Sequence, residues 1–355
     1  MPRRADRLGF RSLRVLALVF IFIYPLSIRF YTQYFEQEHK DDEERSRKTR
    51  PDLESRIPQR ADSKSKGYTI GVHVDLVMMY TSVFDKNGRF IGGLTEDNFK
   101  VYEDGVEQKV SYFAQEDVPV SMGILIDLSG SMRGKIEQVK RAALAFIRAS
   151  NPRDQVSMIA FNDEVELIQD FTSDIDEIAD SLENTVVTGG TALYDAVYLG
   201  VQKAQSGIKA KKAIVVITDG EDRDSYYKLD ELITKVQESD VQVFGIGFLN
   251  TPPEKSLFGR WSKSIPEKAR EALERISEET GGKAFFPDKL TDIHAIVSEI
   301  AQELRSQYSI GYFSSNTARD GAFRRVKVEV RGATPPPKQV RYRRGYFAPK
   351  PDTAG

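Results

Sequence analysis

Residues 213–218 (AIVVIT) form an unbroken apolar run that ends on a threonine. A strand with one face in water alternates apolar and polar side chains. An unbroken, β-branched run therefore predicts a strand covered on both faces. The runs at 122–126 and 241–248 predict the same. Such strands need helices above and below them, and the intervening chain has that pattern. Ile136, Val139, Ala143, Phe146 and Ile147 recur at helical spacing, as do Leu193, Val197 and Val201. Further helices are expected at 175–182, 229–236, 268–279 and 293–304, strands at 156–161 and 283–286, and a short antiparallel neighbour at 164–170. Strands alternating with helices predict the α/β class, a doubly wound and mainly parallel sheet across residues 118–306.

On either side the period changes to two. Val72, Val74 and Leu76 alternate with His73 and Asp75. Asp85-Lys86-Asn87-Gly88 and Glu103-Asp104-Gly105 are turn signals, with strand-like runs at 99–102 and 110–113. β character returns at 308–313, 323–330 and 340–346, interrupted at 316–321 and by Ala333-Thr334-Pro335-Pro336-Pro337. Small sheets are marginal unless packed. Residues 67–117 and 307–349 are therefore expected to pair into one small β-sandwich that flanks the α/β domain or receives it as an insertion.

Arg3, Arg4, Arg7, Arg11 and Arg14 precede the apolar run 15–28, and Phe30, Tyr31, Tyr34 and Phe35 follow it. A basic flank, an apolar stretch and interfacial aromatics predict a signal or membrane anchor over residues 1–35. Small residues are missing where cleavage would want them, which favours an uncleaved anchor in the cytoplasmic membrane; the alternative is secretion after cleavage. With the arginines inside, the rest of the chain would face the cell envelope. Residues 36–66 carry mixed charge and almost no apolar side chains, the composition of a disordered linker. The formal net charge is -2, so there is no basic footprint for nucleic acid. There is no cysteine, which excludes disulfides, thiolate zinc sites and cysteine nucleophiles. His39, His73 and His294 are far apart in the sequence, which disfavours a histidine metal cluster or a Ser-His-Asp triad.

Chemistry concentrates where the first buried strand ends. Asp127-Leu128-Ser129-Gly130-Ser131-Met132 places a carboxylate and two hydroxyls two residues apart on a loop between strand and helix. Oxygen donors aimed at one point suit a hard divalent cation. Thr188-Gly189-Gly190-Thr191 offers a further hydroxyl where glycines allow close backbone approach. Asp219-Gly220 ends the central AIVVIT strand, and the carboxyl ends of such strands are where ligands gather.

Together these motifs resemble the von Willebrand factor type A domain with an intact metal-ion-dependent adhesion site, over roughly residues 118–305. The segments at 103–113, Gly311-Tyr312, 320–324 and 344–346 further resemble a bacterial group of such domains first described in acidobacteria. That resemblance implies that Asp127, Ser129, Ser131, Thr191 and Asp219 hold one divalent cation, Mg²⁺ before Mn²⁺ or Ca²⁺. By the same resemblance Ser129, Ser131 and in some members Thr191 bind directly, while one or both aspartates act through water. An open position then takes a Glu or Asp carboxylate from a partner protein. The implied role is a membrane-tethered binding module without turnover.

Other readings stand beside this one. Ser129, Ser131 and Thr191 are also helix-capping types, and Asp219 before a glycine is also a turn signal. Asp163 and Asp195 read as solvated or capping groups, and Glu221 and Asp222 as a solvated loop beside the site. Arg133 reads equally as a partner contact or a surface charge. Tyr226 and Tyr227 read as recognition aromatics or as the start of a helix. Phe258 and Trp261 mark an insertion after Pro252-Pro253. Arg324, Arg325, Arg341, Arg343 and Arg344 read as a solvated basic face. The functional alternatives are an assembly subunit of a larger envelope complex and a metal-dependent hydrolase. Haloacid-type phosphatases need a second aspartate at the position of Ser129, and neither a Walker loop nor a Gly-x-Ser-x-Gly elbow is present.

Overall fold

The computed structural model describes residues 76–249 and 265–350. The expected anchor at 1–35, the linker at 36–66, the alternation at 72–75 and the Phe258–Trp261 insertion lie outside the described residues. No helix among the described residues is long and apolar enough to cross a membrane.

The α/β part starts with β5 (Val120–Asp127), in which every residue is buried. It continues through α1 (Ile136–Ala149), β6 (Gln155–Phe161), β7 (Val165–Thr172), α2 (Ile175–Glu183), α3 (Leu193–Gln205) and β8 (Lys211–Thr218). Then come α4 (Leu229–Gln237), β9 (Gln242–Gly247), α5 (Ile265–Glu279), β10 (Ala284–Phe285) and α6 (Ile293–Ser306). The sheet order is β10-β9-β8-β5-β6-β7. β5 pairs in parallel with β6 and β8, β8 with β9, and β9 with β10, while β7 runs antiparallel to β6. Pleating sends alternate residues of β5 to opposite faces. Met122, Ile124 and Ile126 pack on one side with Val139 and Phe146 of α1, Ile178 of α2 and Val297 and Ile300 of α6. Leu125 packs on the other with Val197 and Val201 of α3, Val236 of α4 and Ile276 of α5. The doubly wound class expected from AIVVIT is the one observed.

The flanking segments form two four-stranded antiparallel sheets. One has the order β13 (Gln339–Arg341), β1 (Leu76–Phe84), β11 (Tyr308–Phe313), β4 (Val110–Gln115). The other has the order β14 (Gly345–Phe347), β12 (Phe323–Val330), β2 (Phe99–Glu103), β3 (Val106–Gln108). Their shared core includes Val77, Met79, Phe99, Val101, Tyr308, Ile310, Tyr312 and Val326. Within it Glu103, 2% exposed, accepts hydrogen bonds from the Tyr312 and Tyr346 hydroxyls and from Ser314.

Two expectations are corrected. The strand expected at 340–346 is two strands, and the chain crosses between sheets over Tyr342–Arg344. Gly345 lies so close to β12 that a Cβ there would sit 2.3 Å from the Arg324 carbonyl. The supposed solvated basic face is also partly buried. Arg324 is 5% exposed and pairs with Asp320, and Arg341 is 8% exposed and pairs with Glu303 of α6.

α6 passes directly into β11 and is held where it does so. The Lys211 ammonium donates to the Leu304 carbonyl at 2.7 Å, and the Arg305 guanidinium donates to the Ala149 carbonyl at 2.8 Å. Burial pulls the Lys211 ammonium down to about 8.

Candidate metal centre

Asp127 is the last residue of β5 and Thr218 the last of β8, so neighbouring parallel strands deliver both to the carboxyl edge of the sheet. Asp127 is fully buried. One of its oxygens, Oδ1, accepts the Ser129 N–H at 2.8 Å, and Oδ2 accepts the Thr218 hydroxyl at 2.6 Å. Burial raises its pKa above the ordinary carboxylate range; the hydrogen bonds from Ser129 and Thr218 oppose the rise, and the nearby Asp219 adds to it.

From Ser129 the chain makes a 3-10 turn, Gly130–Gly134, before α1. That turn carries Ser131 to the third loop. The Ser129 and Ser131 hydroxyl oxygens are 3.1 Å apart, and Ser131 donates to Asp219 Oδ1 at 2.7 Å. Lys135 forms an ion pair with the other oxygen, Asp219 Oδ2. The second loop is fastened by backbone bonds. Thr188 N–H donates to the Leu128 carbonyl, and Gly130 N–H to the Gly189 carbonyl. Thr191 is 6% exposed, and its hydroxyl oxygen lies 3.2 Å from where a Cβ on Gly220 would be. Both glycines ahead of Thr191 are sterically required. Gly189 has φ +77°, and a Cβ on Gly190 would stand 1.9 Å from Asp224 Oδ2. Asp224 in turn accepts the Thr191 N–H at 2.7 Å.

All five sequence-nominated residues therefore come together on three adjoining loops. The capping alternatives fail locally. Ser129 makes no side-chain cap bond, and the residue capping α3 is Ala192 rather than Thr191. The neighbouring acids have work of their own. Asp195 accepts the N–H groups of Tyr226 and Tyr227, each at 2.9 Å. Asp222 accepts the Tyr194 N–H at the start of α3, so it is a loop anchor rather than a solvated charge. Burial raises its pKa.

The donor set suits a small hard cation. Octahedral ligands about 2.1 Å from Mg²⁺ stand about 3.0 Å from their neighbours. The hydroxyl–hydroxyl and hydroxyl–carboxylate separations of 3.1 and 2.7 Å bracket that value. Thr191 contributes a further hydroxyl, next to the glycine that follows Asp219. Among the described residues no three His, Cys, Asp or Glu side chains group as a metal site, so the donor set depends on hydroxyls.

Sequence reading missed three members of the site: Thr218, Asp224 and Lys135. Thr218 reads as the end of an apolar run, and Asp224 as one of several acids after Gly220. Lys135 had a usable signal. It sits at the N-cap of α1, where the helix dipole disfavours a cation, and its pairing with Asp219 explains the exception.

The von Willebrand factor type A domain profile matches residues 122–299, half of the chain, and the chain belongs to that family. A 139-residue stretch is 32% identical to an uncharacterized protein of Synechocystis, spanning 37% of this chain and 32% of that one. Another, of 128 residues, is 29% identical to human inter-alpha-trypsin inhibitor heavy chain H4 and covers 32% of this chain and 14% of that protein. The chain thus spans about a third or less of the length of these relatives. Among solved structures, an aerotolerance-related membrane protein of Bacteroides fragilis is 24% identical, with a TM-score of 0.42 over 52% of this chain and 98% of that one. A von Willebrand factor type A protein of Catenulispora acidiphila is 13% identical, with a TM-score of 0.44 over 81% of this chain and 76% of that one.

Proposed function

We propose that this member of the von Willebrand factor type A family is a protein-binding module that captures an acidic side chain of a partner through a divalent cation. The reading rests on one observation above all: Asp127, Ser129, Ser131, Thr191 and Asp219 present oxygens from three loops at a single edge of the sheet. A cation bound there, Mg²⁺ first, would supply an electrophilic centre with a position open to a carboxylate. Ser129, Ser131 and Thr191 would be its neutral ligands. Asp127 would be held in place by Thr218 and the Ser129 N–H, and Asp219 by Ser131 and Lys135. No proton transfer or nucleophile is required, so binding proceeds without turnover.

The rim of the site also suits a protein partner. Val186, two residues before Thr188, is 71% exposed, and Tyr226, fixed by Asp195, is 75% exposed. Apolar side chains beside a charged centre favour a partner with an acid flanked by apolar residues. In this proposal residues 1–35 anchor the protein in the cytoplasmic membrane and residues 36–66 carry the folded part away from it, outside the cytoplasm. The test is capture of envelope proteins by the full chain in Mg²⁺, in chelator, and as the Asp127→Ala variant. A protein retained only by wild type with metal supports the reading. Equal retention in all three conditions refutes it.

A further inference from the structure

We propose that Lys135 sets the charge of the oxygen cluster, weakening its grip on a divalent cation and strengthening the pull of the bound cation on a partner's carboxylate. This rests on the cation-dependent reading above. Asp127 and Asp219 bring two negative charges to the site, and both side chains are almost fully buried. Lys135, 33% exposed, forms an ion pair with Asp219. The two oxygens of Asp219 are divided between different partners. Oδ1 faces Ser131 and hence the hydroxyl cluster, while Oδ2 faces Lys135. The ammonium thus has its own oxygen and can remain in place when a cation occupies the hydroxyl side.

The charge count then decides the chemistry. Counting only the charged groups in contact with the hydroxyl cluster or its aspartates, Asp127, Asp219 and Lys135 carry a net single negative charge, and a divalent cation leaves these groups with an excess of one positive charge. Without Lys135 the two aspartates neutralise the cation. Charges a few ångströms apart in a partly buried site interact strongly enough at intermediate effective dielectric to change an affinity by tenfold or more. A lysine that only positioned Asp219 would act in the opposite direction, because losing an orienting partner typically costs about 10–100-fold in metal affinity. The sign of the effect separates the two roles.

The test uses the full chain, Mn²⁺ as the cation and acetate as the carboxylate. Mn²⁺ binding is measured by calorimetry at fixed ionic strength, and acetate binding by its effect on the Mn²⁺ resonance. Lys135→Gln keeps an N–H donor for Asp219 and removes the charge, Lys135→Met removes both, and Lys135→Arg keeps both. Thermal unfolding in chelator checks that each variant is folded, and Lys135→Arg remains informative if an uncharged variant is not. The expected result is Mn²⁺ binding about tenfold or more tighter in Lys135→Gln, weaker acetate uptake, and wild-type behaviour in Lys135→Arg. Mn²⁺ binding that is unchanged or weaker in Lys135→Gln overturns the charge role, as does a loss of binding in Lys135→Arg. Failure of wild type to bind Mn²⁺ overturns the cation-dependent reading itself, and this inference with it.

Discussion

Replacing either partner of the Arg341–Glu303 pair should destabilise the protein, but with different pH dependence. The two side chains are 8% and 2% exposed and share one bond of 2.6 Å. Arg341 Nε and Nη1 and Glu303 Oε1 have no partner among the described residues. Burial raises the Glu303 pKa against the opposing pull of Arg341. In Arg341→Met the carboxylate loses its counterion, yet it can escape by taking up a proton. Protonating an ordinary carboxyl at pH 7 costs about 1.4 kcal/mol per unit over some 2.5 units, so the penalty is capped at about 3.5 kcal/mol. At pH 5 the cap falls below about 1 kcal/mol. The sign is consistent: a folded-state pKa above the unfolded one makes the folded state bind more protons, and stability falls as pH rises through that window. In Glu303→Leu the guanidinium has no such escape, because it does not deprotonate. That variant should lose about 3–5 kcal/mol at both pH values. Because the pair is under-bonded, Arg341→Met with Glu303→Leu should return to within about 1 kcal/mol of wild type or exceed it. Urea unfolding at pH 5 and pH 7, with chelator present, measures all four proteins. An Arg341→Met deficit that does not change with pH, or a double variant as unstable as the two singles added, would refute the reasoning.

Four further outcomes follow from the same geometry. In Lys211→Met the buried ammonium is gone, so wild type should gain about 3 kcal/mol relative to the variant as pH rises from about 8 to 10.5, the interval in which only unfolded Lys211 holds its proton; urea midpoints across that range that keep a constant difference would contradict this. Thr218→Val leaves Asp127 Oδ2 without its donor and should cost about 1–3 kcal/mol in chelator, less at pH 4 than at pH 7, by chemical denaturation. Gly190→Ala must displace Asp224 and with it Thr191, and should weaken Mn²⁺ binding in calorimetry by tenfold or more while costing about 1–3 kcal/mol in stability. Glu103→Leu strands the hydroxyls of Tyr312 and Tyr346 and should cost about 3 kcal/mol or more in thermal unfolding.

Legibility in the sequence followed the range of the interactions. Elements of the α/β part announce themselves locally, because the central strands β5, β6, β8 and β9 are largely apolar and buried and the helices have one apolar face. The residues of the candidate site were readable for a similar reason: Asp127, Ser129 and Ser131 lie within five positions, and Thr191 and Asp219 each sit beside glycine. What local pattern could not reveal was who partners whom. Lys135 and Asp219 are 84 positions apart, and Thr218 and Asp127 are 91 apart. Arg341 reads as a surface residue until Glu303 is brought beneath it. The division of 340–346 into strands of two different sheets is a property of the packed sandwich and leaves no periodic mark.

The sandwich is built from chain ends that meet late. β1 pairs with β11 and β13, and β4 pairs with β11, so neither has a sheet partner until residues 308–313 have been synthesised. The intervening chain of about 190 residues would make that pairing a long loop to close. Folding of the α/β part removes most of this cost, since its two ends emerge side by side: Gln115 donates to the Ser306 carbonyl and pairs with Tyr308. Shortening the effective loop from about 190 residues to a handful lowers the closure penalty by about 3 kcal/mol. On this topology the inserted α/β part would act as the template on which its flanking sandwich assembles, and the sheet edge with the candidate site would form before that sandwich closes.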